Sequence, residues 1–113
     1  MRPPAFIPAT FSFTARAVAM ISQMRRDLES RDHQPIGAVG FAWGHVQLAD
    51  GSKHERPVIG FYNTSDMDEV ARASVQNVGG VDLIVFSTPD QAKNFDGRNV
   101  DFSPEQGFFI AGA

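Results

Sequence analysis

The stretch Gly79–Ile110, GGVDLIVFSTPDQAKNFDGRNVDFSPEQGFFI, carries the densest set of structural signals in this chain. Within it, Val81–Phe86 is a short, almost wholly apolar run of β-branched and aromatic residues that follows a Gly-Gly pair, which predicts a buried strand. Thr88 then offers a hydroxyl for an N-cap, Pro89 suits the first helical position, and Gln91 completes a capping box. The sequence therefore predicts a strand that leads directly into a helix.

The helix after Thr88 is expected to be short. Gly97 follows closely as a left-handed stop, and Phe95 is expected to point inward. Asn99–Phe102 and Phe108–Ile110 then have the composition of strands, separated by a turn that contains proline and glycine. The C-terminal part of the chain is therefore predicted as strand, short helix, strand, turn and strand.

Composition limits the class of protein. At 113 residues the chain is expected to form one domain, and its ten phenylalanines favour a folded core over disorder. A formal net charge of -3 argues against nucleic acid and anionic membranes as partners. The absence of cysteine excludes disulfides, thiolate nucleophiles, thiolate zinc sites and cysteine-held iron–sulfur clusters.

The start of the sequence predicts its domain organisation and location. Residues 1–10 form a proline-rich arm with Phe6 and Ile7 as its anchors, and residues 11–113 form the single domain. The prolines interrupt any apolar core of signal-peptide length. No apolar run reaches the roughly 18 residues of a membrane span, so we expect a cytoplasmic protein.

The region from residue 13 to residue 63 predicts one helix and a hairpin. Phe13–Leu28 has apolar residues at helical spacing, with Thr14 or Ser12 as the N-cap and an end near residues 30–32. Ile36–Leu48 is typical of one twisted strand or two. An Asp-Gly turn follows, and Val58–Tyr62 is the expected partner strand.

Residues 67–78 fit two structures. Their apolar residues match one face of a helix, and the second half also alternates as an edge strand does. The Gly79-Gly80 pair suits a two-residue hairpin and so favours a strand before it. We therefore predict a helical turn at Asp66–Glu69 followed by strand.

Three histidines and one acidic group are the candidate metal ligands: His33, His45, His54, Asp66, Asp68 and Glu69. The histidines lack the spacing of a helical ligand pair, and the acidic group lacks the spacing of a calcium loop. Solvated side chains explain both sets better. We therefore assign no metal ligand.

Acid–base and nucleophilic candidates are two carboxylate pairs and three serines: Asp101 with Glu105, Asp50 with Glu55, and Ser65, Ser87 and Ser103. The carboxylate spacings are not distinctive, and the serines lack the G-x-S-x-G elbow. The glycines at 37 and 40 do not form a nucleotide-binding fingerprint. We therefore assign no catalytic residue and no cofactor, and expect a protein that is not an enzyme.

Aromatic residues offer one candidate ligand pocket. Trp43 and Phe61 could line an apolar pocket together with the C-terminal strands. Core packing is the competing interpretation for both side chains.

Several segments together resemble a known family. They are FSFTARAVAMISQM (11–24), VGGVDLIVFSTPDQAKNFDGRNVDF (78–102), Gln106-Gly107-Phe108 and VIGFY (58–62). In order and spacing they are similar to the opening strand and helix, the central block, the x-G-F strand and the C-x-G-F segment of the HesB/IscA-like group. This group comprises the A-type carriers of iron–sulfur cluster assembly, and the likeness runs from Phe11 to Ile110.

The resemblance implies a fold, but this chain lacks the cysteines on which the family's chemistry depends. It implies an α+β, mainly β, compact domain with antiparallel sheets in a sandwich-like or barrel-like arrangement, one N-terminal amphipathic helix and one short C-terminal helix. The family's chemistry uses three cysteines. Val58 stands at the first of these positions, and the other two, near the family's C-terminus, have no counterpart before Ala113.

Three functions are compatible with these observations. The first is a cysteine-less HesB/IscA-like domain that acts as a non-enzymatic binding or accessory protein. Its expected partners are proteins, and a second copy of the chain is one candidate. The second is participation in iron–sulfur cluster assembly through non-cysteine ligands or a partner's cysteines. The third is a small ligand-binding protein or enzyme with a pocket near Trp43 and Phe61.

Overall fold

The computed structural model describes residues 3–47 and 49–111, which form eight strands and three α-helices. In chain order these are β1 (Ala5–Ile7), β2 (Ser12–Phe13), α1 (Ala15–Asp32), β3 (Ile36–Gln47), β4 (Lys53–Asn63), α2 (Glu69–Ala73), β5 (Gln76–Val78), β6 (Val81–Ser87), α3 (Pro89–Ala92), β7 (Asn99–Ser103) and β8 (Gly107–Ile110). A 3-10 turn, Thr64–Asp66, links β4 to α2. The predicted α+β, β-rich class is confirmed.

Among the described residues, no helix is both long enough and apolar enough to cross a bilayer.

The strands form two mixed sheets. The larger sheet has the order β1, β6, β3, β4. Strand β5 pairs with β6 on the same side as β1: Gln76 of β5 lies opposite Leu83, and Ile7 of β1 lies opposite Val85. The smaller sheet has the order β2, β7, β8. Antiparallel pairs predominate, but β3 with β6 and β2 with β7 are parallel, so the expected antiparallel sheets are in fact mixed. Long crossovers, which parallel pairs require, separate both pairs along the chain.

The main core lies on the inner face of the larger sheet, beneath α1 and the smaller sheet. Val39 and Phe41 of β3 contribute to it from the same face as Leu83 and Val85 of β6. The other members come from several elements: Phe11, Ile21, Val81, Phe95 and Val100. This core therefore joins the two sheets and the long helix into one body.

Phe95 is the central side chain of this core. It is fully buried, and its ring centroid lies 5.0 Å from that of Phe41, 5.4 Å from that of Phe11 and 6.1 Å from that of Trp43. Edge-on and tilted aromatic contacts of this kind are favourable beyond the area that they bury. The prediction that Phe95 points inward is confirmed.

Helix α1 has the N-cap and the end that the sequence predicts. Of the two candidate caps, Thr14 is the one used, since its hydroxyl accepts a hydrogen bond from the Ala17 amide at 3.3 Å. Ala17 and Ile21 are its buried residues. The helix ends at Asp32, where His33 adopts the left-handed conformation with φ of 56°.

Local signals also place α3 correctly. The Gln91 amide donates to the Thr88 hydroxyl at 3.1 Å, and both halves of the predicted capping box are present. Gly97 has φ of +70°, in the left-handed region that favours glycine. The turn after α3 is therefore built as predicted, and it delivers Phe95 to the core.

The prediction for residues 67–78 was wrong in its boundaries. Helix α2 extends to Ala73, and strand begins only at Gln76. Asp68 caps this helix by accepting from the Ala71 amide at 2.8 Å. Met67 and Ala71 are buried with Ala38 and Ile84 in a second, smaller core on the outer face of the larger sheet. The helix brings Ala71 into contact with Ala38 and Ile84 of the sheet. The alternation of apolar and polar residues within the segment does not report this contact, because its partners lie elsewhere in the sequence.

The hairpin is longer than predicted. Strand β4 extends well beyond Val58–Tyr62 because it pairs with β3 from Gln47 opposite Lys53 to Ile36 opposite Asn63. Strand β3 is one strand with a register shift between Ile36 and Ala38, and the predicted last residue, Leu48, lies outside the described residues. The pairing of two long strands thus replaces the shorter hairpin that composition suggested.

The proline-rich arm contributes a strand. Ala5–Ile7 pairs antiparallel with the end of β6, so that Phe6 lies opposite Phe86 with ring centroids 5.3 Å apart. Phe6 and Ile7 are half-buried, as expected of anchors. Residues 5–7 therefore belong to the larger sheet.

We predict that Phe95→Ala lowers the free energy of unfolding by about 3–5 kcal/mol, because it removes a ring from the middle of the main core. Urea denaturation followed by circular dichroism measures this loss. Phe86→Ala is the matched control, since the Phe86 ring is 40% exposed and its truncation is expected to cost clearly less. Equal losses would contradict the central position of Phe95.

Candidate functional site

Two surface depressions on the β3–β4 hairpin are the candidate binding sites. The first, here called the apolar depression, lies on the outer face of the larger sheet and encloses about 280 Å³ between Gly40, Ala42, Val58, Gly60, Tyr62 and Phe86. The second, here called the basic cleft, encloses about 390 Å³ between the hairpin, the segment after α3, and β8. The two depressions differ in chemistry as well as in position.

The floor of the apolar depression follows from strand pairing. Gly40 pairs with Gly60 and Ala42 with Val58, and paired residues of adjacent strands lie on the same face. A Cβ atom on Gly40 would come within 2.6 Å of the Tyr62 ring, so glycine is needed where this ring crosses the strand. Small residues therefore leave a hollow over the paired strands β3 and β4.

Three large apolar side chains border this hollow. Val58 is 42% exposed, Tyr62 37% and Phe86 40%. Helix α2 packs over another part of the same face, where Ala38 and Ile84 are fully buried. The outer face is therefore only partly covered by the described part of the chain, and apolar surface remains accessible beside α2.

The basic cleft has an aromatic wall and cationic side chains. Trp43 and Phe109 are among the apolar groups that line it, and Arg56, Lys93 and Arg98 are its cations. These residues come from β3, β4, β8 and the segment between α3 and β7. The cleft therefore exists only where distant parts of the sequence meet.

Trp43 is held in a defined orientation. Its indole Nε1 donates a hydrogen bond to Glu55 Oε2 at 3.3 Å, and its ring packs beside Phe95 of the core. The other carboxylate oxygen of Glu55 lies 3.8 Å from Nε2 of His45. Glu55 is thus occupied by Trp43 and His45 on the hairpin itself.

Trp43 and Phe61, the two residues of the predicted pocket, line different depressions. Trp43 lines the basic cleft, and Phe61 contributes to the apolar depression. Both side chains pack against the main core. Phe61 pairs with Val39, so its ring faces the inner side of the sheet, away from the apolar depression that this residue borders.

The histidines are spread over the structure. His33 occupies the end of α1, His45 lies beside Glu55, and the ring of His54 is 3.2 Å from the Ser52 hydroxyl. Within residues 3–47 and 49–111, no group of three or more His, Asp or Glu side chains is arranged to hold a metal ion. In the acidic group, Asp68 caps α2 and Asn63 donates to Asp66 at 3.5 Å.

Asp101 has a structural partner set. Its carboxylate accepts from Arg16 Nη2 at 2.7 Å, from the Thr14 hydroxyl at 2.6 Å and from the Phe102 amide at 2.8 Å. The Arg16 guanidinium, followed by the Thr14 hydroxyl, holds the pKa of Asp101 well below its usual range. Asp101 thereby ties the start of α1 to β7 and is unsuited to donate or accept a proton near neutral pH.

Asp50, Ser87 and Ser103 are also engaged locally. Asp50 accepts from the hydroxyl and the amide of Ser52, which lowers the pKa of Asp50. The Ser87 hydroxyl donates to the Thr88 carbonyl at 3.0 Å, and the Ser103 hydroxyl accepts from the Gln106 amide at 3.1 Å. These groups stabilise turns and strand ends.

Sequence reasoning missed the cations of the basic cleft. Arg56 lies far in sequence from Lys93 and Arg98, and no shared motif links the three cations. The one local hint is Trp43, whose aromatic ring predicts a pocket residue.

No protein-family model matches this chain, and neither the curated proteins nor the solved structures compared with it give a match. The two depressions themselves therefore carry the functional inference.

We predict that Asp101→Asn lowers the thermal unfolding midpoint at pH 7 and weakens its dependence on acid. A carboxylate with a lowered folded-state pKa contributes stability above its unfolded pKa of about 3.9, and this contribution is lost as the pH falls through the folded value. The difference between wild type and variant should therefore shrink progressively below about pH 4. Thermal melts from pH 7 down to pH 2 measure it.

The matched control for this prediction is Asp96→Asn. Asp96 is exposed in the turn after α3, and no ion pair to it occurs among the described residues. Its replacement should change the midpoint little at any pH. A constant difference between Asp101→Asn and wild type across the acid range would contradict the role assigned to Asp101.

Proposed function

We propose that this chain is a cysteine-less HesB/IscA-like domain that works as a non-enzymatic binding module, with the apolar depression as its contact surface. One observation carries the proposal: Val58, Tyr62 and Phe86 stay more than a third exposed around one hollow of the sheet. Contiguous apolar surface of this kind typically marks a site of protein contact. Binding buries it and releases the water that covers it.

The resemblance supports the proposal through Val58. In the family, the corresponding position carries the first cysteine, whereas here a valine with 42% exposure lies at the rim of the apolar depression. This chain therefore offers apolar contact area at the position where the family offers a metal ligand. The segments that carry the resemblance fall on β2 with α1, on β4, on β6 through β7, and on the start of β8.

A second copy of the chain is the partner that this surface fits most directly. The patch contains a hollow, floored by Gly60 and crossed at Gly40 by the Tyr62 ring, with the exposed side chains of Val58 and Phe86 at its rim. A two-fold axis brings the same patch of both subunits together, so the apolar rim of each can pack against the hollow of the other. Tyrosine at the rim suits such a contact, because its ring is apolar and its hydroxyl stays hydrogen-bonded to water.

The test is the effect of Val58→Asp on self-association. We expect wild-type protein to approach twice the chain mass as its concentration rises, as measured by size-exclusion chromatography with light scattering. Val58→Asp should weaken this association by about tenfold or more, because a carboxylate would lose its water in an apolar contact.

Val70→Asp is the matched control. Val70 is more exposed than Val58, at 61%, but it lies on α2 and not among the residues that line the apolar depression. The same chemical change at this position should leave association at the wild-type level. Wild-type protein that stays monomeric at every concentration, or equal effects of the two variants, would contradict the proposed contact.

A further inference from the structure

We propose that the basic cleft is a binding site for a small organic phosphate, with the anionic head group among Arg56, Lys93 and Arg98 and a planar apolar body against Trp43. The inference rests on this cleft alone and is independent of the apolar depression. Its grounds are the local charge, the state of Arg56, and the apolar wall.

The local charge is opposite to that of the whole chain. The lining contains three cations, Arg56, Lys93 and Arg98, and one carboxylate, Glu55, which gives a local formal charge of +2 (three minus one) in a chain of net charge -3. Cations confined to a concave surface raise the local potential and favour an anion. A phosphate monoester, with up to two negative charges, matches this excess.

The cations of the cleft remain available to a ligand. Across residues 3–47 and 49–111, the ion pairs involve Arg16, Arg25, Arg31 and His45, and none involves a cation of the cleft. The one carboxylate of the lining, Glu55, is instead bonded to the Trp43 indole. The cationic charge of the cleft is therefore not neutralised within the described part of the chain.

Arg56 is positioned before any ligand arrives. Its Nη1 donates to the Gln106 carbonyl in the β7–β8 turn, so the side chain spans from β4 to the smaller sheet. Its Nε is the one buried side-chain nitrogen or oxygen of the described residues without a hydrogen-bond partner. A guanidinium has five N–H donors in a rigid fork, so one protein acceptor leaves most of its donor capacity unused. The Nη donors that Gln106 does not use can bind an anion in the cleft.

The rest of the lining defines what the phosphate carries. Trp43, Pro57, Phe109 and Ile110 give the cleft an apolar wall, and the indole is held in place by Glu55 and Phe95. A planar group can stack on a fixed aromatic ring, which adds affinity without a requirement for particular hydrogen bonds. The enclosed 390 Å³ lies within the usual range for small-molecule sites, about 300–1,000 Å³.

The experiment uses phenyl phosphate as the probe. Trp43 is the single tryptophan of the chain, so intrinsic tryptophan fluorescence reports on the cleft directly. We expect a saturable change in emission with phenyl phosphate, confirmed by isothermal titration calorimetry, and a dissociation constant that rises with added sodium chloride. Inorganic phosphate, which lacks the ring, and phenol, which lacks the charge, should each bind at least about tenfold more weakly.

The variants are chosen to preserve the fold. Lys93→Gln combined with Arg98→Gln changes two exposed side chains of the cleft and should weaken phenyl phosphate binding by about tenfold or more. Arg26→Gln combined with Arg31→Gln, which removes two exposed cations from α1, is the charge-matched control and should bind as wild type does. Val70→Asp, on α2 and outside the lining of both depressions, should also bind as wild type does.

Three results would overturn the proposal. They are the absence of binding by calorimetry at millimolar phenyl phosphate, the same affinity in the Lys93→Gln, Arg98→Gln double variant as in wild type, and equal affinity for phenol and phenyl phosphate. The first result would show that the cleft does not bind phenyl phosphate. The second would show that Lys93 and Arg98 do not contribute to binding, and the third that the phosphate group is not recognised. Each is read independently of self-association.

Discussion

The packing of Phe95 beneath β3 is the interaction on which the structure most depends. Its ring is fully buried against Phe11 and Phe41, and it also packs beside Trp43 at the edge of the core. Through this one side chain, the turn after α3 joins the inner face of the larger sheet. The same contact positions Trp43 in the basic cleft, so core packing and the candidate ligand site share a structural element.

The two faces of the larger sheet are covered to different extents. The inner face is covered by α1 and the smaller sheet, whereas the outer face carries only the small core beneath α2. Beside that core, Gly40 and Gly60 leave a hollow that the Tyr62 ring partly crosses. A sheet with one face well covered and the other partly open offers apolar surface that contact with another chain can bury.

Charge is distributed as unevenly as apolar surface. Carboxylates outnumber cations over the chain, and Asp101 is bound to Arg16 where α1 meets β7. The cations of the basic cleft, by contrast, collect around an aromatic wall without an internal ion pair among the described residues. Such a separation is a feature of ligand recognition more than of folding, since folding alone gains little from an unneutralised cluster.

The sequence by itself determined the elements whose signals are local. The cap at Thr88, the cap at Thr14 and the left-handed turn at Gly97 act within a few residues, so their positions could be read directly. Only the tertiary structure decided the extent of α2, because burial of Ala71 against the outer face is a non-local contact. For the same reason, only the tertiary structure brought Arg56 and the cations after α3 to one cleft: sequence patterns report near neighbours, and chain folding decides which distant residues meet.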